Sequence, residues 1–457
     1  MLKSHFSLLR LLGLLAGFAA GLLRLAAAPD ESPRATATVY THVTLIDGTG
    51  APAARDMAIV VEGELIKSVL PASELTVHPV AGAALADLTG KFALPGLIDT
   101  HQHLGTLPHR AAAEAQLCRM LYGGVTAVRD MAGDARFLAD LARSARLAEI
   151  PAPEIYFSAL MAGPSFFADP RTHSSAQGAV PGQVPWLQAI TAETDLPTAV
   201  ALARGTGASG IKIYADLPAT EVRRIVAEAH RQGFPVWSHA MIFPTSPGEA
   251  IAAGVDSISH AYLLVYEATG QKPASYTGRK GLPVDAQQLL DRSDRLAALF
   301  AEMNRRGVIL DATVHTYFEV DQHRKPGTPA PGPIGATAAA MAFRAGVAIS
   351  AGTDFTPTKE DTYPALQTEL ETLVREVGMT PADAIRAATA TAARALKADA
   401  QMGTVAAGKL ANLVFVARNP LDDITALREV VLTVKRGRAY PRSDYHQPPA
   451  DTLAKEF

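Results

Sequence analysis

The chain has 457 residues, of which 48% are hydrophobic and 19% charged, with 42 Lys and Arg against 45 Asp and Glu. This is enough apolar chain for a substantial core, in one large domain plus a smaller one or in two or three ordinary domains, and the near-neutral balance excludes the basic field of a nucleic-acid binder. A single cysteine, Cys118, excludes an intrachain disulfide and a thiolate metal cluster.

Residues 1–28 carry Lys3 and Arg10, an apolar stretch from Leu11 to Leu23, and Ala26, Ala27 and Ala28 before a polar segment. This is the pattern of a secretory signal peptide, so export to the periplasm or the medium is expected, with cleavage near Ala28; the alternative is an uncleaved anchor, since Pro29 follows the expected cut and Arg24 interrupts the apolar run. No other stretch approaches the ~18 apolar residues of a membrane span, and none is expected after cleavage. Residues 36–92 read as short strands with Asp-Gly and Glu-Gly turns, the first part of a small β domain.

Residues 93–400 alternate apolar β-type runs with helical segments. The runs are "GLIDTHQH", "GVTAVRD", "EIYFSAL", "GIKIYAD", "FPVWSHA", "SISHAY", "VILDATVHTY" and "VAISAGTDF". Eight strands with intervening helices predict a (β/α)8 TIM barrel, and His101 to Asp354 spans about the 250 residues that such a barrel needs. Toward its end, "GMTPADAIRAATATAARAL" predicts one helix with Thr380 as N-cap, Pro381 in the first position and Asp383 in the first turn. Residues 401–445 return to strand patterns and complete a small β-sandwich domain built from the N- and C-terminal segments. Three long polar or Gly/Pro-rich segments, 163–187, 268–284 and 322–334, follow the third, sixth and seventh strands, on the face where barrel enzymes select substrates.

Histidines at i and i+2 of a strand point to one side, so His101 and His103 could grip one metal, although the pair alone reads as readily as two surface histidines. Further ligand-type residues stand on or at the ends of other strands: Lys212 on the fourth, His239 on the fifth, His260 on the sixth and Asp354 on the eighth. Burying six such ionisable groups together is costly without a compensating ion. Arg129 could bind a substrate carboxylate, and Tyr214, two residues after Lys212, could hydrogen-bond an oxyanion. His173 in the third loop and His315 on strand seven are candidate substrate contacts, whereas His109, His230, His323 and His446 fit no strand end and read as surface residues.

With "LPGLIDTHQH", the lysine and histidines on successive strands, "AGTDF" and the closing "GTVAAGKLANLVFV", the chain resembles the amidohydrolase superfamily over nearly its whole length. Within it, the chain looks nearest to the imidazolonepropionase-related group, which includes Xaa-Pro dipeptidases. The resemblance implies two divalent metal ions, zinc first with manganese or cobalt compatible. His101, His103 and Asp354 would hold one ion and His239 and His260 the other, with Lys212 bridging both as a CO2-derived carbamate. It implies attack by a metal-bridging hydroxide on an amide or peptide bond of a small dipeptide-like or N-acyl amino acid substrate, with Asp354 moving the proton. Cyclic amide or lactone hydrolysis is the alternative on the same site. Mononuclear deaminases of the superfamily lack the strand-four lysine and carry a glutamate three residues after the strand-five histidine, where this chain has Ile242. A non-catalytic exported binding protein would have lost ligands, and none is missing here. The partners expected are a small-molecule or dipeptide substrate, no nucleic acid, and at most a homo-oligomer.

Overall fold

The computed structural model describes residues 37–76, 80–277, 281–283, 285–291, 293–354 and 361–447; the expected signal peptide at 1–28 lies outside them. The eight apolar runs form parallel strands β1 (Leu97–Gln102), β2 (Val125–Asp130), β3 (Glu154–Ala162), β4 (Gly210–Ile213), β5 (Val236–His239), β6 (Ser257–Ser259), β7 (Ile309–Asp311) and β8 (Ile349–Ser350). Each pairs with the next in sequence order. Closure between β8 and β1 comes from the Thr100 N–H, which donates to the Ala351 carbonyl at 3.1 Å, and the Asp354 N–H, which donates to the His101 carbonyl at 2.9 Å. Every residue of β1, β2, β4 and β5 is buried, as expected of strands covered by helices outside and packed side chains within. The fold is a TIM barrel with a small β domain.

The helices begin where the sequence supplies caps. Asp134 accepts from the Arg136 N–H ahead of Ala135–Arg146, whose Leu138, Leu141 and Ala145 are buried. Ser246 and Glu249 form a reciprocal capping box. Thr380 caps Pro381–Ala387 as expected, but the single helix predicted there is two, the second being Ala390–Ala395. At the break, the carbonyls of Ala387 and Ala388 accept from the N–H groups of Ala351 and Ile98, so they turn away from the helix axis to serve the barrel's β8–β1 seam. The segment after β3 is also more ordered than a loop. It holds the helix Pro170–Ala176 and a ribbon, Gln183–Val184 with Leu187–Ala189, that pairs with the upper end of β3.

The small domain is a mixed eight-stranded sheet drawn from both ends of the chain, with Phe92–Pro95 antiparallel to Leu413–Val416 at the junction. Strand Thr38–Leu45 pairs with Ala54–Glu62 on one edge and with both Ala84–Asp87 and Phe92–Pro95 on the other. Alternation puts Tyr40, Ile59 and Val61 into one apolar cluster and Val39, Ala58 and Val60 into another on the opposite face. Where this sheet meets the barrel, the buried ammonium of Lys435 donates to the carbonyls of Ala145 (2.6 Å) and Ala152 (2.9 Å) and lies 3.1 Å from Glu154 of β3; Arg436 Nε is 2.9 Å from the same carboxylate.

Burial raises the Glu154 carboxyl, but Lys435 and Arg436 outweigh it and hold the group below its ordinary value. Its contribution to stability is therefore present above the unfolded carboxylate pKa and is lost as pH falls through the lower folded value. Glu154→Ala leaves the buried Lys435 ammonium with carbonyl partners only, while Arg436 keeps Glu64, and should cost about 3 kcal/mol, read as a lowered urea midpoint at neutral pH. The difference from the wild type should shrink in acid, and an unchanged midpoint would show that this junction does not hold the domains together.

Candidate metal centre

The barrel mouth gathers the predicted ligands because three of its strand ends turn abruptly. His260, Thr313 and Asp354 have φ of +75°, +48° and +48°, a conformation that non-glycine residues adopt only where the surroundings impose it. His103 Nε2 lies 3.2 Å from Asp354 Oδ1, His101 Nε2 3.7 Å from the same oxygen, and His260 Nδ1 3.7 Å from Oδ2. The imidazoles run in a chain, with ring centroids 5.2 Å apart for His101 and His103, 4.9 Å for His101 and His260, and 4.5 Å for His239 and His260. Lys212 is fully buried, its ammonium 3.3 Å from Ser259 Oγ.

The electrostatics suit cation ligation. Burial, with Lys212 and other imidazoles adding to it, holds His239 well below its ordinary pKa, and burial also lowers His260 and His101; at His103 burial is outweighed by the Asp354 carboxylate, which raises it. Burial raises the Asp354 carboxyl, but the surrounding His101, His103 and His260 outweigh it and keep it ionised. Burial pulls the Lys212 amine down to about 7, with Arg129 adding to the effect. Two observations test whether metal fits. His101, His260 and Asp354 each offer a ligand atom, all within 4.8 Å of one another, and Nδ1 of His239 is buried with no hydrogen-bond partner among the described residues. A neutral imidazole nitrogen left bare in the interior is what a missing cation would leave.

Beneath the cluster lies a residue that the sequence reading passed over. Asp311, at the end of β7 and fully buried, accepts from His101 Nδ1 (2.7 Å), Thr100 Oγ1 (2.8 Å), Ser259 Oγ (2.9 Å) and Arg129 Nη2 (3.2 Å). Burial raises its carboxyl, but His101 and Arg129 hold it well below the usual range. Its contact fixes His101 with the proton on Nδ1 and the lone pair on Nε2, toward the mouth. The available signal was a carboxylate inside an otherwise apolar strand. Gly352 makes room for this arrangement, since a Cβ there would stand 2.1 Å from Asp311 Oδ1. Asp99 performs a similar task lower down. It accepts from the N–H groups of His101 and Thr353, and burial pushes it up to about 7.

A cavity of 740 Å³ opens above the cluster, lined by His103, His239, His260 and Asp354 at its base and by aromatic side chains higher up. Tyr214 is there as expected, its ring 4.0 Å from that of His239 and 4.5 Å from Phe166; burial keeps its phenol protonated. The other three expected substrate contacts are elsewhere. Arg129 is completely buried inside the barrel, where Nε donates to the Thr100 carbonyl, Nη1 to Ser257 and Nη2 to Asp311, and its guanidinium lies 4.7 Å from the Trp237 ring centroid. It props the site from below and cannot reach substrate. His173 is exposed on Pro170–Ala176, whose inner face presents Arg171, Thr172 and Ser175 to the cavity instead. His315 belongs to the helix Val314–Gln322 rather than to strand seven, and it is Thr316 and Tyr317 that line the cavity. His323, expected at the surface, is exposed but borders the outer cavity.

Asp216 ties together the segments that build the upper wall. From a left-handed conformation (φ +58°) it accepts from Ser165 Oγ at 2.8 Å and from the Tyr276 N–H at 2.6 Å. The chain after β4 thereby holds those after β3 and β6.

A sequence model of the amidohydrolase family matches residues 92–440, from the last N-terminal strand of the small sheet through the barrel to the closing strands. The chain belongs to the amidohydrolase family. It is a hydrolase of a family that is generally metal-dependent. The amidohydrolase is 25% identical over 448 residues to an ochratoxinase of Aspergillus niger, covering 88% of this chain and 85% of that one. It is also 25% identical over 438 residues to an imidazolonepropionase of Symbiobacterium thermophilum, covering 85% and 89%. Among solved structures, the A. niger ochratoxinase superposes with a TM-score of 0.70 at 22% identity, over 91% of this chain and 98% of that one. A Xaa-Pro dipeptidase with bound methionine gives 0.68 at 23%, over 89% and 100%. Those superpositions show the shared fold.

Removing the partner that orients a ligand typically costs 10- to 100-fold in metal affinity. Asp311→Asn should therefore release metal at a roughly 10- to 100-fold lower chelator concentration than the wild type, with the far-ultraviolet circular dichroism retained. Equal retention would show that His101 needs no such support.

Proposed function

We propose that this amidohydrolase cleaves an amide or peptide bond in a small dipeptide-like or N-acyl amino acid substrate, using two divalent cations, zinc first. His101, His103 and Asp354 would hold one cation, His239 and His260 the other, and Lys212 would bridge them. The observation that carries the reading is the fully buried Lys212 amine on β4, 3.3 Å from Ser259 Oγ, which burial and then Arg129 draw down to about 7 against the pull of Asp311 and Asp354. A charged ammonium would repel cations, whereas the neutral amine can add CO2 and lose a proton to become an anionic carbamate. The cations would supply Lewis acidity toward the substrate carbonyl and lower the pKa of water at neutral pH.

The protein's own groups perform the remaining steps. Asp354, ionised and at the base of the cavity, accepts a proton from the attacking water as its oxygen adds to the carbonyl carbon. It returns that proton to the nitrogen as the C–N bond breaks, so the amine leaves neutral and the carboxylate is regenerated. Tyr214, protonated and beside His239, donates a hydrogen bond to the oxyanion formed on the carbonyl. The aromatic walls exclude water and accept an apolar side chain.

Elemental analysis of purified protein should find about two metals per chain, falling sharply in Lys212→Ala, and a panel of dipeptides and N-acyl amino acids should be hydrolysed only by the metal-loaded wild type. One metal or none, unchanged by the substitution, would sink the two-metal mechanism.

A further inference from the structure

Two charged side chains on the cavity wall have no role in the chemistry above. Glu319 lies on the helix Val314–Gln322, on the face that also carries Thr316, Tyr317 and Val320 into the cavity. Its carboxylate accepts from Gln322 Nε2 at 2.9 Å and stands 4.0 Å from His315 Nε2. Burial draws the His315 imidazole down, so it brings no positive charge at neutral pH. Among the described residues no lysine or arginine pairs with Glu319, although its side chain is only 38% exposed. A half-buried carboxylate that faces a cavity with no described cation beside it is a site for a cation carried by the ligand.

Arg171 supplies the opposite charge. Its Nε and Nη2 are locked onto Asp169 at 3.0 and 2.8 Å, and Nη2 also reaches the hydroxyls of Tyr276 (3.3 Å) and Tyr214 (3.4 Å). Nη1 makes no hydrogen bond among the described residues, so one guanidinium edge is held rigidly with donors to spare. Asp169 itself does not line the cavity. Arg171 follows β3 and Glu319 follows β7, and in a ring of eight strands these are four apart, on opposite sides of the mouth. The His–Asp–Lys cluster, from β1, β4, β5, β6 and β8, lies between them.

Resting on the hydrolase reading above, we propose that Glu319 and Arg171 select a short peptide with both termini free. Glu319 takes the α-ammonium and Arg171 the carboxylate, which stretches the peptide bond across the cluster. A blocked amine leaves Glu319 without a cation, and a blocked carboxylate leaves Arg171 with Asp169 as its one anionic partner among the described residues, so of the two substrate types named above the free dipeptide is favoured, and N-acyl amino acids and peptide amides bind less tightly. The arrangement also sets polarity, because a carboxylate at the β7 side would meet Glu319.

The test uses metal-loaded enzyme and ketomethylene isosteres of Leu-Phe, N-acetyl-Leu-Phe and Leu-Phe amide, which lack the scissile nitrogen, with binding read by calorimetry. The wild type should bind the doubly free isostere about 10- to 100-fold more tightly than either blocked one, the range of a charge-assisted hydrogen bond. Glu319→Gln should collapse only the preference over the acetylated form, and Arg171→Met only the preference over the amide. Equal affinity for all three, no binding of any, or a uniform loss in both variants would overturn the assignment. Hydrolysis of the parent peptides is followed in parallel: charge-selective binding without turnover would sink the hydrolase reading alone, and turnover without charge selectivity would sink the assignment alone.

Discussion

The mouth of this barrel is organised around one carboxylate that solvent never reaches. A charge in a protein interior is tolerated only when its oxygens are fully engaged, and Asp311 meets that condition with donors from β1, β2 and β6 while standing on β7 itself. The requirement works in both directions. Asp311 needs Thr100, His101, Arg129 and Ser259 at fixed distances, and those residues are consequently fixed. Arg129 in turn brings a second buried charge that is balanced by the first, with Trp237 beneath it. The ligand cluster thus rests on a layer of polar contacts rather than on the apolar packing found lower in the barrel, and a polar layer specifies orientation as well as position.

Above that layer the architecture divides its labour. Groups able to handle a cation or a proton stand on strands or at their immediate ends, where neighbouring strands limit their movement. Groups able to distinguish one substrate from another stand on the helices and segments that follow β3, β6 and β7, and Asp216 binds two of these segments together. The ochratoxinase, imidazolonepropionase and Xaa-Pro dipeptidase similar to this chain have names that point to different substrates. A rigid base beneath exchangeable walls is a physical means of combining one chemistry with many specificities.

The barrel was legible because its strands are short apolar runs buried on both faces and because residues of ligand type recur on them; His101, His103, Lys212, His239, His260 and Asp354 all converge as expected. What escaped the sequence follows from geometry that spacing cannot encode. Arg129 looked available to substrate because its place in a strand does not reveal which way the side chain passes relative to the cluster; its partner Asp311 is 182 residues away. His173 and His315 were chosen by chemical type, whereas helical phase turned Arg171, Thr316 and Tyr317 inward in their place. The helix predicted across 378–396 broke because barrel N–H groups claimed two of its carbonyls, a tertiary demand invisible to local propensity.

The small sheet has a consequence for how the molecule is made. Strand Phe92–Pro95 finds its antiparallel neighbour at Leu413–Val416, more than 300 positions later, and Lys435 finds its carbonyl partners at Ala145 and Ala152, 290 and 283 positions earlier. During synthesis the first strands therefore wait with an open edge while the barrel is assembled behind them. Contacts so distant along the chain carry a large loop-closure entropy and slow the approach to the native state. The strands from the far end of the barrel act as the fastener that covers the waiting edge.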